Sequence, residues 1–245
     1  MTTSDLKIII IGAAINFIGA GLAIFENEIL GIILIAIGFI ALLVIFIQEL
    51  KKRTAEIIFY DDFSEFKDWK PLINGSVIHS DENPHSGACS LKKIAHNDPN
   101  GGYKLINRTL KPSFCFSGWI FRPSDFDGGP ADRVALEDDN GNGYGFLVRH
   151  EMNDCFVFIE KREDGIGEAF MPGIQIRDYS KGLTDEWYYF EIQITASGKI
   201  IFRLSHNKKA LCQLNAQDLK YNTFSRVTIR GGNPYFVDDL KIIKC

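Results

Sequence analysis

The chain has 245 residues, a formal net charge of −4 and 46% hydrophobic residues, so it is neither strongly basic nor dominated by charge. This balance argues against nucleic acid as a partner, because nucleic-acid-binding domains carry an extended basic surface. The sequence contains no P-loop, dinucleotide fingerprint or nucleophile elbow, and its five histidines lack the spacing of zinc ligands. We therefore expect no cofactor of these classes.

Two apolar runs open the chain, over residues 8–25 and 29–47. Asn16 is the one strongly polar side chain in them, and each run is long enough to cross a membrane as a helix. The link of residues 26–28 between them is short, which predicts an antiparallel transmembrane hairpin. A signal peptide is the alternative for the first run, but Lys7 is its only basic leader residue and no clear cleavage site follows.

Small residues recur at four-residue spacing in the first run. Gly12 and Asn16 are one such pair, and Gly19 and Ala23 are another. Small residues let a neighbouring helix approach closely, and an amide in lipid requires a hydrogen-bonding partner. These four residues are therefore candidates for helix packing and for a homo-oligomer formed through the helices. The alternative is that glycine and alanine are simply common in membrane helices.

The distribution of positive charge predicts the orientation in the membrane. Lys51, Lys52 and Arg53 follow the second run, Lys7 precedes the first, and the link carries only acids. The positive-inside rule then places both termini in the cytoplasm of a two-pass inner (plasma) membrane protein, with the basic residues anchored at anionic lipid headgroups of the bilayer. The five cysteines lack C-x-x-C spacing and suit free thiols in a reducing compartment, although two disulfides and a spare thiol also fit.

The pattern changes at the end of the basic link, residues 51–56. Over residues 57–245, short alternating runs are separated by Gly, Asn, Asp and Pro, which predicts an all-β domain of two packed antiparallel sheets after the hairpin of residues 1–50. The predicted strands begin at Glu56, Ser76, Cys89, Gly102, Ser113, Asp132, Tyr144, Cys155, Trp187, Lys199, Lys209, Ser225 and Tyr235.

Alternation within a strand sorts its side chains between the core and the outer face. Tyr188, Phe190, Ile192 and Ile194 form the predicted core face of the strand that begins at Trp187. By the same rule, Val134 and Leu136 are core residues and Arg133 and Glu137 point outward. A hairpin is predicted at Ser197-Gly198.

Five segments carry a resemblance to a known superfamily. They are DDFSEFKDWKP, NPHSGACSLKK, FCFSGWIFRPS, EWYYFEIQI and YFVDDLKII. In these segments the chain resembles the concanavalin A-like lectin/glucanase superfamily, including laminin-G-like and carbohydrate-binding jelly rolls, over nearly all of residues 57–244. The resemblance implies a jelly-roll sandwich; it does not imply one function, because this fold carries many.

The glucanases of that superfamily carry catalytic carboxylates at alternating positions of one strand. Here Glu160 shares its face with Arg162, and the consecutive Glu137 and Asp138 point to opposite faces. No catalytic residue is assigned, and we expect a protein that is not an enzyme; a carbohydrate-active enzyme is the disfavoured alternative.

Two acidic segments are candidates for a metal site. The sequence DDNGNG from Asp138 resembles the start of a calcium loop, but its twelfth position is Arg149, so an Asn-Gly hairpin is the better interpretation. The resemblance to jelly rolls implies a structural calcium near the first and last strands, for which Asp62 and Asp238 are candidates. Solvated turn carboxylates are the alternative.

Aromatic platforms and polar groups together form sugar-binding sites. The candidate ligand-binding residues are Arg133, Glu137, Arg149, Glu160, Arg162, Trp187 and Tyr189. Three arginines with two acids suit a small anionic ligand equally well, and a solvated sheet with cross-strand ion pairs is the alternative to any site.

Two functional hypotheses follow from this organisation. The first is a membrane-anchored, non-enzymatic binding or sensor protein whose jelly roll recognises a glycan, a small anionic ligand or a protein. The second is a membrane-perturbing effector, similar in layout to small anti-phage defence proteins, whose hairpin oligomerises when the jelly roll is triggered.

Overall fold

The computed structural model describes residues 56–72, 77–94, 101–124, 129–151, 154–176 and 184–245. The two predicted membrane helices, with their packing residues and the basic residues 51–53, lie outside the described residues. Within the described ranges, no helix is long and apolar enough to cross a membrane.

The described part of the chain is built from strands. Their bounds are β1 (Ile57–Asp61), β2 (Trp69–Pro71), β3 (Val77–Ser80), β4 (Ser90–Lys93), β5 (Gly101–Leu110), β6 (Phe114–Phe121), β7 (Gly129–Glu137), β8 (Gly143–Glu151), β9 (Asp154–Glu163), β10 (Ile166–Ala169), β11 (Ile174–Gln175), β12 (Trp187–Ile194), β13 (Lys199–His206), β14 (Lys209–Gln217), β15 (Phe224–Arg230) and β16 (Tyr235–Lys244).

These strands form two antiparallel sheets. The first sheet has the order β14-β13-β12-β6-β16-β4-β3, with β1 also paired to β16, so the first and last strands are neighbours. The second sheet has the order β10-β9-β8-β7-β15-β5-β2, with β11 also paired to β9. The domain is therefore all-β, as predicted, and its two sheets are those of a jelly-roll sandwich.

Aromatic side chains from both sheets meet in the core. The ring of Phe146 on β8 lies 4.7 Å from that of Phe190 on β12 and 4.9 Å from that of Phe202 on β13, measured between centroids. Phe190 belongs to the predicted core face of β12, and all four residues of that face are buried. The predicted core positions Val134 and Leu136 are also fully buried and belong to the hydrophobic core.

Both predicted hairpins are present. Gly198 has a φ of 80° between β12 and β13, and Gly141 has a φ of 86° between β7 and β8, values that glycine adopts without steric cost. Asp138 stabilises the second turn because its Oδ1 atom accepts hydrogen bonds from the backbone N–H groups of Asn140 and Asn142.

Three observed strands were not predicted: β2, β10 and β11. Each has between two and four residues, so at most two side chains of each strand share a face. In addition, β2 ends in Pro71, which is tolerated because this strand lies at the edge of the second sheet.

Candidate functional site

Charged side chains converge on the outer face of the second sheet. We define the arginine-glutamate cluster as Arg133 and Glu137 on β7, Glu160 and Arg162 on β9, and Arg226 and Arg230 on β15. Strands β15 and β7 are paired, and their register places Arg226 opposite Glu137 and Arg230 opposite Arg133.

Strand β8 separates β7 from β9, yet side chains of β7 and β9 touch each other across it. The residues of β8 opposite Arg162 and Glu160 are Gly143 and Gly145. Because glycine has no side chain, the space above β8 is open at these two positions. The long side chains of the flanking strands fill that space.

Glu160 is held by two arginines. The Nε atom of Arg133 lies 3.0 Å from its Oε1 atom, and the Nη1 atom of Arg162 donates a hydrogen bond of 2.9 Å to the same oxygen. Burial raises the pKa of the Glu160 carboxyl, and the two neighbouring guanidinium groups oppose that rise.

Glu137 is the centre of the cluster and contacts three arginines. The Nε atom of Arg162 lies 2.6 Å from its Oε1 atom. Arg226 donates from Nε at 3.0 Å and from Nη2 at 2.8 Å to its Oε2 atom, in a forked arrangement, and the Nη2 atom of Arg230 lies 3.4 Å from that oxygen. Burial lowers the pKa of the Arg230 guanidinium, and the charge of Glu137 opposes this effect.

The two signs of charge differ in their access to solvent. The side chains of Glu137 and Glu160 are fully buried, whereas those of Arg133 and Arg226 retain 16% and 15% exposure. The cluster holds four guanidinium groups against two carboxylates, an excess of two positive charges. Consequently, the charge that faces solvent is positive.

Several buried polar atoms of this face lack a hydrogen-bond partner among the described residues. They include the Oε2 atom of Glu160, the Nε atom of Arg230 and the Oγ1 atom of Thr228. Thr228 lies on β15 between Arg226 and Arg230 and is buried. A buried polar group without a partner costs about 1–3 kcal/mol, so these atoms lower the stability of the folded domain.

Aromatic rings adjoin the charged groups. The guanidinium of Arg226 lies 5.2 Å from the ring centroid of Tyr103 on β5, within the range of a cation–π contact. Phe156 and Phe158 share the outer face of β9 with Glu160, and both are half-buried. Arginine edges, polar atoms and partly exposed rings therefore occur on one face.

The structure brings together four of the seven predicted ligand-binding residues, namely Arg133, Glu137, Glu160 and Arg162. Arg149 lies exposed on the same face of β8, two residues beyond Leu147, the register partner of Arg133.

Trp187 and Tyr189 do not join the cluster. They lie on β12, which belongs to the first sheet, so the seven candidate residues are divided between the two sheets. Sequence reasoning also missed Arg226 and Arg230. The segment SRVTIR carries their signal, since Val227 and Ile229 alternate with them and are fully buried.

Trp187 and Tyr189 instead belong to an aromatic group on the outer face of the first sheet. Tyr189 is paired across the sheet with Trp119, and Trp187 with Phe121. The imidazole of His85 stacks on Trp119 with a centroid distance of 3.8 Å. Part of the aromatic surface is therefore covered by the chain itself.

Asp238 on β16 positions the loop that carries His85. The Oδ2 atom of Asp238 accepts hydrogen bonds from the backbone N–H groups of His85, at 2.9 Å, and Ser86, at 3.1 Å. Asp62 instead accepts from the backbone N–H of Ser64, at 3.0 Å. In the described part of the chain, no group of three or more His, Cys, Asp and Glu side chains is arranged to hold a metal, and the calcium site at Asp62 and Asp238 stays a prediction.

Comparison with known sequences gives one informative relative. No family model matches the chain. It is 40% identical over 190 residues to an uncharacterized protein of Methanocaldococcus jannaschii, and the alignment covers 75% of this chain and 19% of that protein. The chain thus spans about a fifth of the length of the curated relative that it matches.

Comparison with solved structures identifies the fold. A carbohydrate-binding module from Bacillus subtilis matches with a TM-score of 0.51 and 13% identity, covering 72% of this chain and 96% of that one. An endo-β-1,4-glucuronan lyase from the fungus Trichoderma reesei matches with a TM-score of 0.51 and 12% identity, over 78% and 96%. The exoplasmic/lumenal domain of VIP36, in its Ca²⁺- and Man3GlcNAc-bound form, matches with a TM-score of 0.52 and 8% identity, over 75% and 86%. The described domain therefore has the jelly-roll fold of carbohydrate-binding modules and lectins, and identities this low show the fold alone.

Proposed function

We propose that the chain is a membrane-anchored, non-enzymatic binding protein whose jelly roll recognises an acidic glycan on the outer face of the second sheet. The observation that carries this proposal is the layering of charge in the arginine-glutamate cluster. The carboxylates are buried, and the edges of Arg133 and Arg226 reach solvent. Guanidinium groups bind carboxylates and sulfates in a forked geometry, so an anionic ligand suits this surface.

The chemistry around the cluster favours an acidic glycan over a simple anion. The carboxylate of a uronic acid would pair with Arg133, Arg149 or Arg226, whose side chains reach solvent. The half-buried rings on β5 and β9 offer an apolar surface to the sugar ring. The carbohydrate-binding proteins among the structural neighbours support a glycan as the ligand class.

The proposal of binding without catalysis is supported by the way the two carboxylates are held. Glu137 contacts three arginines and Glu160 contacts two, so the oxygens of both are engaged within the protein. A glycosidase needs one carboxyl that is protonated and donates its proton to the leaving oxygen. Both glutamates are fully buried beneath arginines, which favours a structural role for them in this proposal.

Membrane anchoring is part of the same proposal and rests on the sequence. The apolar runs of residues 8–25 and 29–47 supply the anchor, and the basic residues 51–53 place the domain on the cytoplasmic side.

Calorimetric titration of the full chain with an oligoglucuronate tests the proposal, with a cello-oligosaccharide of the same length as the neutral control. We expect binding of the acidic sugar only, weakened by added salt because the contacts are ionic. Arg149→Gln and Arg226→Lys should each reduce the affinity about tenfold or more, since a hydrogen bond to a charged group contributes roughly 1.5–3 kcal/mol.

Arg203→Gln is the matched control, because Arg203 pairs with Glu191 on the opposite sheet and is partly exposed. Arg149 is exposed, so its replacement carries little risk to folding. Equal affinity for the acidic and neutral sugars, or full affinity in both cluster-face variants, would refute the proposal.

A further inference from the structure

Two cysteines on the first sheet lie in contact. Cys115 is on β6, and Cys245 follows the end of β16. Their Sγ atoms are 2.8 Å apart, although neither cysteine is in a disulfide. This contact lies outside the arginine-glutamate cluster, which belongs to the second sheet.

The sheet register holds the two residues in place. Ile243 is the partner of Cys115 in the β16–β6 ladder, so Cys245 lies diagonally across from Cys115. The backbone N–H of Cys245 donates a hydrogen bond of 3.0 Å to the carbonyl of Ser113, which continues the ladder beyond the strand. Diagonal neighbours in a sheet are close enough for side chains to meet, and here the two sulfurs do meet.

We propose that Cys115 and Cys245 are a redox-active pair that closes to a disulfide by exchange with a small-molecule disulfide such as glutathione disulfide. In the first step the Cys245 thiolate attacks one sulfur of the reagent, forms a mixed disulfide and releases one thiolate. In the second step the Cys115 thiol loses its proton and its sulfur attacks Cys245 Sγ, which forms the internal bond and releases the second reagent thiolate. Two protein thiols are oxidised, and one reagent disulfide is reduced to two thiols.

The surroundings of the two sulfurs set the order of these steps. Cys245 is exposed, so a dissolved reagent reaches it first. Cys115 is half-buried, and burial raises the pKa of its thiol, which keeps it protonated and unreactive towards dissolved reagents. Once Cys245 carries the mixed disulfide, the adjacent Cys115 reacts with it at a high effective concentration.

Formation of the Cys115–Cys245 disulfide would link two parts of the domain that are distant in sequence. Residues 115 and 245 are far apart in sequence, and a cross-link across a long loop stabilises the folded state. The neighbouring Lys244 donates its backbone N–H to the carbonyl of Glu56, at 2.9 Å. The disulfide would therefore fix the end of β16. Glu56, the first described residue of the domain, is hydrogen-bonded to this end.

The test uses the full chain incubated with glutathione disulfide and then digested for mass spectrometry. We expect a linked pair of peptides containing Cys115 and Cys245, a protein mass lower by two hydrogen atoms, and three reactive thiols after denaturation in place of the five free cysteines. The midpoint of thermal unfolding should rise by roughly 5 °C or more and return to its original value with dithiothreitol.

Variants distinguish a paired mechanism from reaction of a single exposed thiol. Cys115→Ser should trap glutathione on Cys245 as a stable mixed disulfide, and Cys245→Ser should form no internal bond. Cys89→Ser is the matched control and should still close. A wild-type protein that keeps glutathione on Cys245, links a different cysteine or does not react would overturn the proposal.

Discussion

Replacement of Glu137 by glutamine is the most direct perturbation of the arginine-glutamate cluster. The change keeps the shape of the side chain and removes its charge, which leaves three guanidinium groups without their shared partner. Arg226 retains 15% exposure and can recover hydration, but Arg162 and Arg230 retain only 3% and 8%. Removal of one member of a buried ion pair costs about 3–5 kcal/mol; Arg162 keeps its contact with Glu160, so Arg230 is the buried arginine that loses its carboxylate, and we expect a cost within that range.

Urea denaturation followed by tryptophan fluorescence measures this cost. All three tryptophans lie in the β domain, so the signal reports on its unfolding. Glu191→Gln is the matched control, because the Glu191 and Arg203 side chains are 26% and 42% exposed and such a pair contributes at most about 1 kcal/mol. If Glu137→Gln lowers the free energy of unfolding no more than Glu191→Gln does, the cluster is not a coupled buried network and our account of it is wrong.

Two further predictions concern pH and topology. Burial raises the pKa of Asp132 to about 7, so the folded state binds a proton more tightly than the unfolded state. Its contribution to stability is then fully present below the ordinary carboxyl pKa and is lost as pH rises from about 4 to about 7. The free energy of unfolding of the wild type should fall across that window relative to Asp132→Asn, and parallel profiles would contradict this. For topology, a membrane-impermeant maleimide added after a permeant reductant should label the exposed Cys245 only in permeabilised cells, whereas labelling in intact cells would show that the predicted orientation is inverted.

Alternation along a strand predicted which face each side chain occupies, but not which sheet the strand joins. The shared face of Glu160 and Arg162 followed from their spacing, as did the core face of β12. Alternation did not reveal that Trp187 and Arg133 lie on different sheets, because β12 pairs with β6 and β13, whereas β7 pairs with β8 and β15. Strand order depends on contacts between distant segments, and a period of two residues carries no information about them.

The cluster can form because glycines, which have no side chain, flank its charged residues. Glu160 and Arg162 on β9 are flanked by Gly145 and Gly143 on β8, and on the other side by Gly167 on β10. A Cβ atom on Gly167 would lie 1.7 Å from Glu160 Oε1, and one on Gly145 would lie 2.6 Å from the Cβ of a β7 residue. Glycine within a strand usually weakens it, and in the sequence these residues indicate only turns and strand ends. Their importance appears once the register places them beside the long charged side chains. Gly143 and Gly145 leave the space over β8 through which side chains of β7 and β9 meet, and Gly167 leaves room for Glu160 and Arg162 themselves.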